Sequence, residues 1–454
     1  MSIQSLNPAT GQIEKTFESL TSEQIEQKLV KADEAFSSWK KTSFVERARL
    51  LMSAAKEMRE NARKYGEIMT REMGKPILQA ISEVEKCAWN FEHYAEHGEK
   101  YLQSENIETE ASESYVQYEP LGVILLVMPW NFPLWQVFRM AVPVIMAGNT
   151  VLLKHASNVP QCALVCEDIF RQAGFPEGIF QTLLIGSGDV EDILRDPRVK
   201  GVSLTGSEKA GSTVAGIAGA EVKPVVMELG GSDPFIVLED ADVEFACEQA
   251  KISRLLNAGQ VCLSAKRFLV HLSRYEEFCD RLKHMFEGYI VGDPMDEKTQ
   301  MGPMSSEQGF LDIIKQVDAS IKMGATVLTG GNRLKKDGFF FTPTILSDVT
   351  LHMPAWKEET FGPVATVMPF DSTDEAVALA NDSLFGLNAS LYTQDINLAK
   401  EIIPRLEAGS VFVNGVVKTD PRLPTGGIKR SGVGRELGAY GIRAFCNVKT
   451  VWIK

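Results

Sequence analysis

The chain reads as an α/β protein, a doubly wound parallel sheet followed by a second α/β half. Two observations predict this. From Val123 onward, apolar runs of strand length, such as Val123-Ile-Leu-Leu-Val-Met128 and Thr150-Val-Leu-Leu-Lys154, alternate with longer stretches of helical periodicity. The runs are also continuous rather than alternating, as in strands buried on both faces by covering helices. Sheets of that kind bind ligands beyond the carboxyl ends of their strands, so the residues just after each run carry the functional information.

The elements follow in order. The first part is helical: Ile25, Leu29, Ala32 and Phe36 fall three or four apart, and segments 44–64 and 77–94 continue the pattern. His93-Tyr-Ala-Glu96-His97 has the letters of a two-histidine metal motif, but no third ligand is evident and Gly98 follows at once. A solvated helix end is the expectation there, with no metal. Segment 114–119 alternates like a strand until Pro120-Leu-Gly122 breaks it. The 123–128 strand ends in Pro129-Trp-Asn-Phe-Pro133, and a helix over 134–147 leads to the 150–154 strand. A helix over 160–173, a strand over 180–185, a helix from Asp189, a strand over 201–205 and a helix from near Ser207 come next. Val225-Val-Met-Glu228 closes this half. The second half, from about 230 to 430, has expected strands at 234–238, 268–271, 364–369 and 410–413, and the tail 444–454 alternates like an edge strand.

The totals narrow the function class. A chain of 454 residues is long enough for two or three domains, and 44% hydrophobic with 24% charged residues is ordinary for a globular protein. A formal charge of −13 argues against nucleic acid or an anionic membrane as the main partner, while leaving room for a local cationic pocket. Seven irregularly spaced cysteines read as reduced thiols, and no secretory leader or bilayer-length apolar run is visible. The expectation is a cytoplasmic enzyme.

Several residues stand where chemistry is expected. Cys262, in Asn257-Ala-Gly-Gln-Val-Cys262, follows a glycine-bearing turn and has small neighbours, which suits a nucleophile; on composition alone, a buried structural cysteine is the better reading of it. Glu228, 34 positions earlier, precedes Gly230-Gly231, where water has room to approach a general base; the bland reading is a surface carboxylate. Asn131, between two prolines, can present a fixed amide to a developing oxyanion, or simply lie in an aromatic loop. No three-glycine nucleotide fingerprint is present, but Gly206-Ser207 follows a strand and opens a helix, where a diphosphate is readily held. Lys154 and Ser157 stand at the same edge and can bind a ribose phosphate, or be a solvated strand end.

Taken in order, Pro-Trp-Asn-Phe-Pro, Leu-Leu-Lys, Leu-Thr-Gly-Ser, Glu-Leu-Gly-Gly, Gly-Gln-Val-Cys, Glu358-Glu-Thr-Phe-Gly-Pro363 and Gly426-Gly-Ile-Lys-Arg-Ser-Gly432 resemble the aldehyde dehydrogenase superfamily over nearly the whole chain. The resemblance implies a Rossmann-like cofactor domain (1–102 and 121–228), a catalytic domain (229–440) and a small β oligomerisation arm (103–120 and 441–454) that makes a homodimer or homotetramer. It implies Cys262 as nucleophile, Asn131 and the Cys262 N–H as oxyanion donors, and Glu228 as the base that hydrolyses a thioester. Trp130, Lys154, Ser157, Gly206, Ser207, Glu359 and Phe361 are implied cofactor contacts. Many NAD-preferring members carry a glutamate at the position of Ser157; a carboxylate repels a 2′-phosphate, so serine beside Lys154 points to NADP, with NAD as the weaker alternative.

The ending Gly434-Arg-Glu-Leu-Gly and the short length resemble the compact bacterial succinate-semialdehyde dehydrogenases. Arg139, eight positions after Asn131, matches the arginine of those enzymes and is expected to clamp the distal carboxylate of a small acidic aldehyde, with Thr419 adding a hydroxyl. A helix-surface salt bridge is the competing reading for Arg139, and a broad or glutarate-semialdehyde specificity the competing one for the enzyme. Ser264 stands where some relatives have a second cysteine, so a disulfide switch is not expected.

Overall fold

A computed structural model describes Ser2 to Lys454. The first sheet has six strands in the order Gly432–Val433, Val225–Glu228, Val199–Thr205, Val123–Met128, Thr150–His155, Phe180–Thr182, all parallel except the first. The chain enters at Val123–Met128, winds outward through Thr150–His155 and Phe180–Thr182, then returns to build the other side. The order therefore reverses between Val123–Met128 and Val199–Thr205, which opens a crevice at their carboxyl ends. The continuous apolar runs reflect cover on both faces: Ile124, Leu126 and Met128 join one core cluster, and Val123 and Leu125 join the other.

The second sheet has seven strands in the order Thr326–Thr329, Thr344–Ser347, Val364–Phe370, Ala265–His271, Asp233–Val237, Asn388–Tyr392, Ser410–Val413, with only the first antiparallel. A third, antiparallel sheet joins Cys446–Ile453 to Glu113–Pro120 and Glu105–Asn106. Strands at Thr326–Thr329, Thr344–Ser347 and Asn388–Tyr392, and the hairpin Ser2–Asn7 with Gln12–Glu18, go beyond the sequence reading. The expected helix over 44–64 is two, Phe44–Glu60 and Ala62–Met73, broken at Asn61, while the next runs on from Ile77 to Tyr101. Gly432–Val433 lies inside the stretch expected to be catalytic, yet it pairs with Met227 and Glu228 and so belongs to the first sheet.

Between the helix Val243–Leu255 and the strand Ala265–His271 the chain makes a turn that sets the position of Cys262. Asn257, Ala258 and Gly259 take φ of +51°, +54° and +72°, three left-handed residues in succession. Such a backbone is disfavoured for L-residues and persists only where its surroundings over-determine it. Here the wholly buried guanidinium of Arg254 does so. Nη2 donates to Gly259 O (2.8 Å) and Thr360 O (3.1 Å), and Nη1 to Ala265 O (2.9 Å). A Cβ on Gly259 would meet Gly362 O at 2.2 Å. Gly259→Ala is expected to destabilise the protein by roughly 2 kcal/mol or more and to abolish turnover, read by denaturant unfolding and by assay. A variant with native stability and activity would show that the turn is not constrained in this way.

Candidate active site

Cys262 is buried at the base of a cavity of about 390 Å³, rather than standing open as its small neighbours suggest. One wall is the helix Ile77–Tyr101, through Leu78, Ser82 and Lys86; another is the helix Trp135–Ala147, through Trp135, Gln136 and Arg139. Spacings of four along the first helix, and of four and three from Trp135 and Gln136 to Arg139 along the second, place these side chains toward the cavity. The segment Val416–Thr419 closes the third side.

The thiol donates toward Glu228 Oε2 at 3.7 Å. Burial, then the charge of Glu228, push its pKa well above the usual thiol value, so it rests as a neutral thiol. Glu228, at the end of its strand, is itself buried and accepts from Arg139 Nη2 at 3.2 Å. The same nitrogen donates to Thr205 Oγ1 at 3.3 Å, and Arg139 Nε forms a close ion pair with Glu436 Oε2. Arg139 therefore does not stand free as the expected clamp. It lines the cavity, but two carboxylates already answer its charge. It is no surface residue either, being 1% exposed. Burial raises Glu436 to about 7, opposed by Arg139 and reinforced by Glu228.

Asn131 lies beside the catalytic segment. Its Nδ2 donates to Gln260 O at 3.0 Å, and its own carbonyl accepts from Asn257 Nδ2 at 2.8 Å. An amide nitrogen carries two protons, so one remains for an oxyanion. Glu83 accepts from the N–H groups of Leu134 (3.0 Å) and Trp135 (2.9 Å), anchoring the chain just beyond Asn131, and forms a buried ion pair with Lys75. Lys266 Nζ donates to Cys262 O (2.6 Å) and Val261 O (3.1 Å), and pairs with Glu359 Oε1 at 3.2 Å.

A second cavity, of about 460 Å³, lies against the other side of the same segment and is lined by Trp130, Gln260, Glu359 and Phe361. Trp130 and Phe361 meet edge to face with centroids 5.8 Å apart. Glu359 also accepts from Gly231 N at 3.2 Å. At the sheet crevice, Lys154 and Leu204 flank Val127 in register, which brings Lys154 and Gly206-Ser207 to one edge. Burial lowers the Lys154 pKa, and its ammonium has no ion-pair partner among the described residues. Ser157 is exposed in the turn that follows, and Ser207 caps the helix Glu208–Ala220 by accepting from Ala210 N at 3.3 Å. A lone cation, an uncharged hydroxyl and a helix N-terminus form a donor set suited to a phosphorylated dinucleotide.

The residues expected from sequence thus fall into two groups on either side of the segment before Cys262, with Lys154, Ser157, Gly206 and Ser207 at the crevice edge. Glu436, Lys266, Arg254 and Lys86 escaped the sequence reading. Glu436 and Lys266 carried a signal, a charged residue in an otherwise small or apolar setting: Glu436 within Gly434-Arg-Glu-Leu-Gly, and Lys266-Arg267 at the head of an apolar strand. His93 and His97 lie with ring centroids 4.7 Å apart; burial, then His97, lower His93 to about 4, its Nε2 meets Tyr101 OH at 3.2 Å, and no metal-ligand group occurs among the described residues.

Comparison with known proteins agrees with this geometry. Residues 1–451 match the model of the aldehyde dehydrogenase family. The chain is 48% identical over 456 residues to succinate-semialdehyde dehydrogenase [NADP(+)] 1 of Mycobacterium tuberculosis (strain ATCC 25618 / H37Rv), covering 100% of both chains. It is 49% identical over 453 residues to a probable succinate-semialdehyde dehydrogenase [NADP(+)] of Synechocystis sp. (strain ATCC 27184 / PCC 6803 / Kazusa), again covering 100% of both. The solved structure of succinic semialdehyde dehydrogenase from Streptococcus pyogenes in complex with NADP+ superposes with a TM-score of 0.97 at 37% identity, covering 99% of each chain. With its buried thiol facing a glutamate between two cavities, the chain belongs to the aldehyde dehydrogenase family.

Proposed function

We propose that the protein oxidises succinic semialdehyde to succinate with NADP, NAD being the weaker acceptor. The observation that carries the reading is a buried thiol, paired with a carboxylate, at the base of a cavity whose walls hold cationic and hydroxyl groups. Cys262 Sγ attacks the aldehyde carbon and Glu228 Oε2 takes the thiol proton. The remaining Asn131 Nδ2 proton and the Cys262 N–H hold the oxygen of the thiohemiacetal. Loss of hydride from that carbon leaves a thioester on Cys262; NADP, when bound, supplies the hydride acceptor. Once Glu228 has passed that first proton to solvent, it deprotonates a water that attacks the thioester, and the proton it takes goes to the departing Cys262 sulfur, releasing the acid and restoring the thiol. Arg139 orients Glu228 throughout, and together with Thr419 it lines the cavity where the distal carboxylate is held.

For the dinucleotide, Trp130, Glu359 and Phe361 form the nicotinamide side, and Lys154, Ser157, Gly206 and Ser207 the phosphate side. The proposed domain division is that of the sheets, with the arm made by Glu105–Asn106, Glu113–Pro120 and Cys446–Ile453. The last of these is an edge strand with Val448 and Trp452 exposed, which suits addition to a second copy in a homodimer or homotetramer; a monomer in sedimentation equilibrium would remove that proposal. No helix among the described residues is long and apolar enough to cross a membrane. A cytoplasmic site of action is part of the same proposal.

Two measurements test the reading. NADPH formation is expected to be fastest, in kcat/KM, with succinic semialdehyde, ahead of glutarate semialdehyde and propanal; equal use of the neutral aldehyde would leave a broad aldehyde dehydrogenase with the same thiol chemistry. Ser157→Glu places a carboxylate against the 2′-phosphate and is expected to lower the NADP/NAD ratio of kcat/KM by roughly tenfold or more. An unchanged ratio would show that Ser157 does not read the phosphate.

A further inference from the structure

The carboxylates near the catalytic cavity are already paired with cations. Glu228 and Glu436 share Arg139, Glu83 is paired with Lys75, and Asp420 accepts from Arg422 Nε at 2.8 Å. Counted by charge, Arg139 with its two glutamates does not attract an anion. Two lysines remain on the cavity wall, Lys418 and Lys86. Lys418 is exposed at the rim, whereas Lys86 is partly buried on the helix Ile77–Tyr101 and projects from the face that carries Leu78, Ser82 and Glu83.

Lys86 is held in place without being neutralised. Its Nζ donates to Thr419 Oγ1 at 2.6 Å and lies 4.2 Å from the centroid of the Trp135 ring, and it makes no ion pair among the described residues. Two ammonium protons are left over. We propose that Lys86, presented by Thr419 and Trp135, is the specificity-determining anchor for the distal carboxylate of the substrate. This deepens the reading given above and rests on it. The aldehyde carbon is then at Cys262 and the acid end at Lys86, both on the lining of one cavity.

The electrostatics run the same way. Burial, and then the charge of Arg139, lower Lys86 to about 8, with Cys87, Glu83 and Asp420 pulling in the other direction. A substrate carboxylate entering between Lys86 and Arg139 relieves both the desolvation of the ammonium and its repulsion by the guanidinium. A neutral aldehyde of the same length relieves neither. The anchor therefore selects for the acid group rather than for chain length alone.

The test compares succinic semialdehyde with butanal, at saturating NADP, in the wild type, Lys86→Gln and Lys86→Arg. Glutamine keeps a donor toward Thr419 and removes the charge. Lys86→Gln is expected to raise KM for succinic semialdehyde on the order of tenfold, to lower the kcat/KM ratio of succinic semialdehyde to butanal by a like factor, and to weaken inhibition by succinate. Lys86→Arg is expected to restore most of the ratio. A Lys86→Gln enzyme with the wild-type ratio and wild-type inhibition by succinate overturns the anchor and leaves the activity standing. A wild type that uses both aldehydes equally well overturns the reading beneath it, and the anchor with it.

Discussion

The grip of Arg254 on the turn before Cys262 is the constraint on which the site depends. A guanidinium offers five donors in one plane and no acceptor, so it can bind several backbone carbonyls that would otherwise be buried without partners. Carbonyls of Gly259 and Ala265, on either side of Cys262, and of Thr360, from a distant stretch of chain, converge on it. Burial without a counter-ion lowers Arg254 to about 9, so the ordering comes at an electrostatic cost that the carbonyl dipoles offset. Lys266 repeats the device on the other side of the cysteine, through the carbonyls of Val261 and Cys262. The backbone that carries the thiol is thus held from both sides by cations bound to its carbonyls.

Around that fixed point the charges alternate: Glu436, Arg139, Glu228, then the thiol. Each member is nearly inaccessible to water, so screening is weak and the order of signs decides the outcome. Arg139 bonds to Glu228 rather than to the thiol, and Glu228 in turn disfavours a resting thiolate. A thiol kept neutral until an aldehyde arrives is less open to oxidation than a standing thiolate. That protection suits a chain with Ser264 where a neighbouring cysteine would supply a resolving thiol.

The first sheet was readable because its strands are buried on both faces, and few other arrangements of chain bury so continuous an apolar run over so short a length. Thr326–Thr329 and Asn388–Tyr392 were not, since an exposed edge strand and a strand containing asparagine and serine lack the pattern. In the site, the turns and the family resemblance singled out Cys262, Glu228 and Asn131, and the structure brings the three to one place. The state of Arg139 was not, because Glu436 lies far along the chain and reaches it only when Gly432–Val433 joins the first sheet. Lys86 gave no sequence signal at all: a lysine in a helix is ordinarily a solvated surface residue, and only the tertiary contacts with Thr419 and Trp135 mark it as different.

The segment Gln260–Cys262 separates two cavities that open on different sides of one short stretch of backbone. A partition of this kind allows traffic from both directions. Under the proposed function, the cavity lined by Lys86 takes the aldehyde and the one lined by Phe361 takes the nicotinamide end of the dinucleotide. Substrate and nucleotide are thereby given, under that same function, separate chambers that meet at one sulfur.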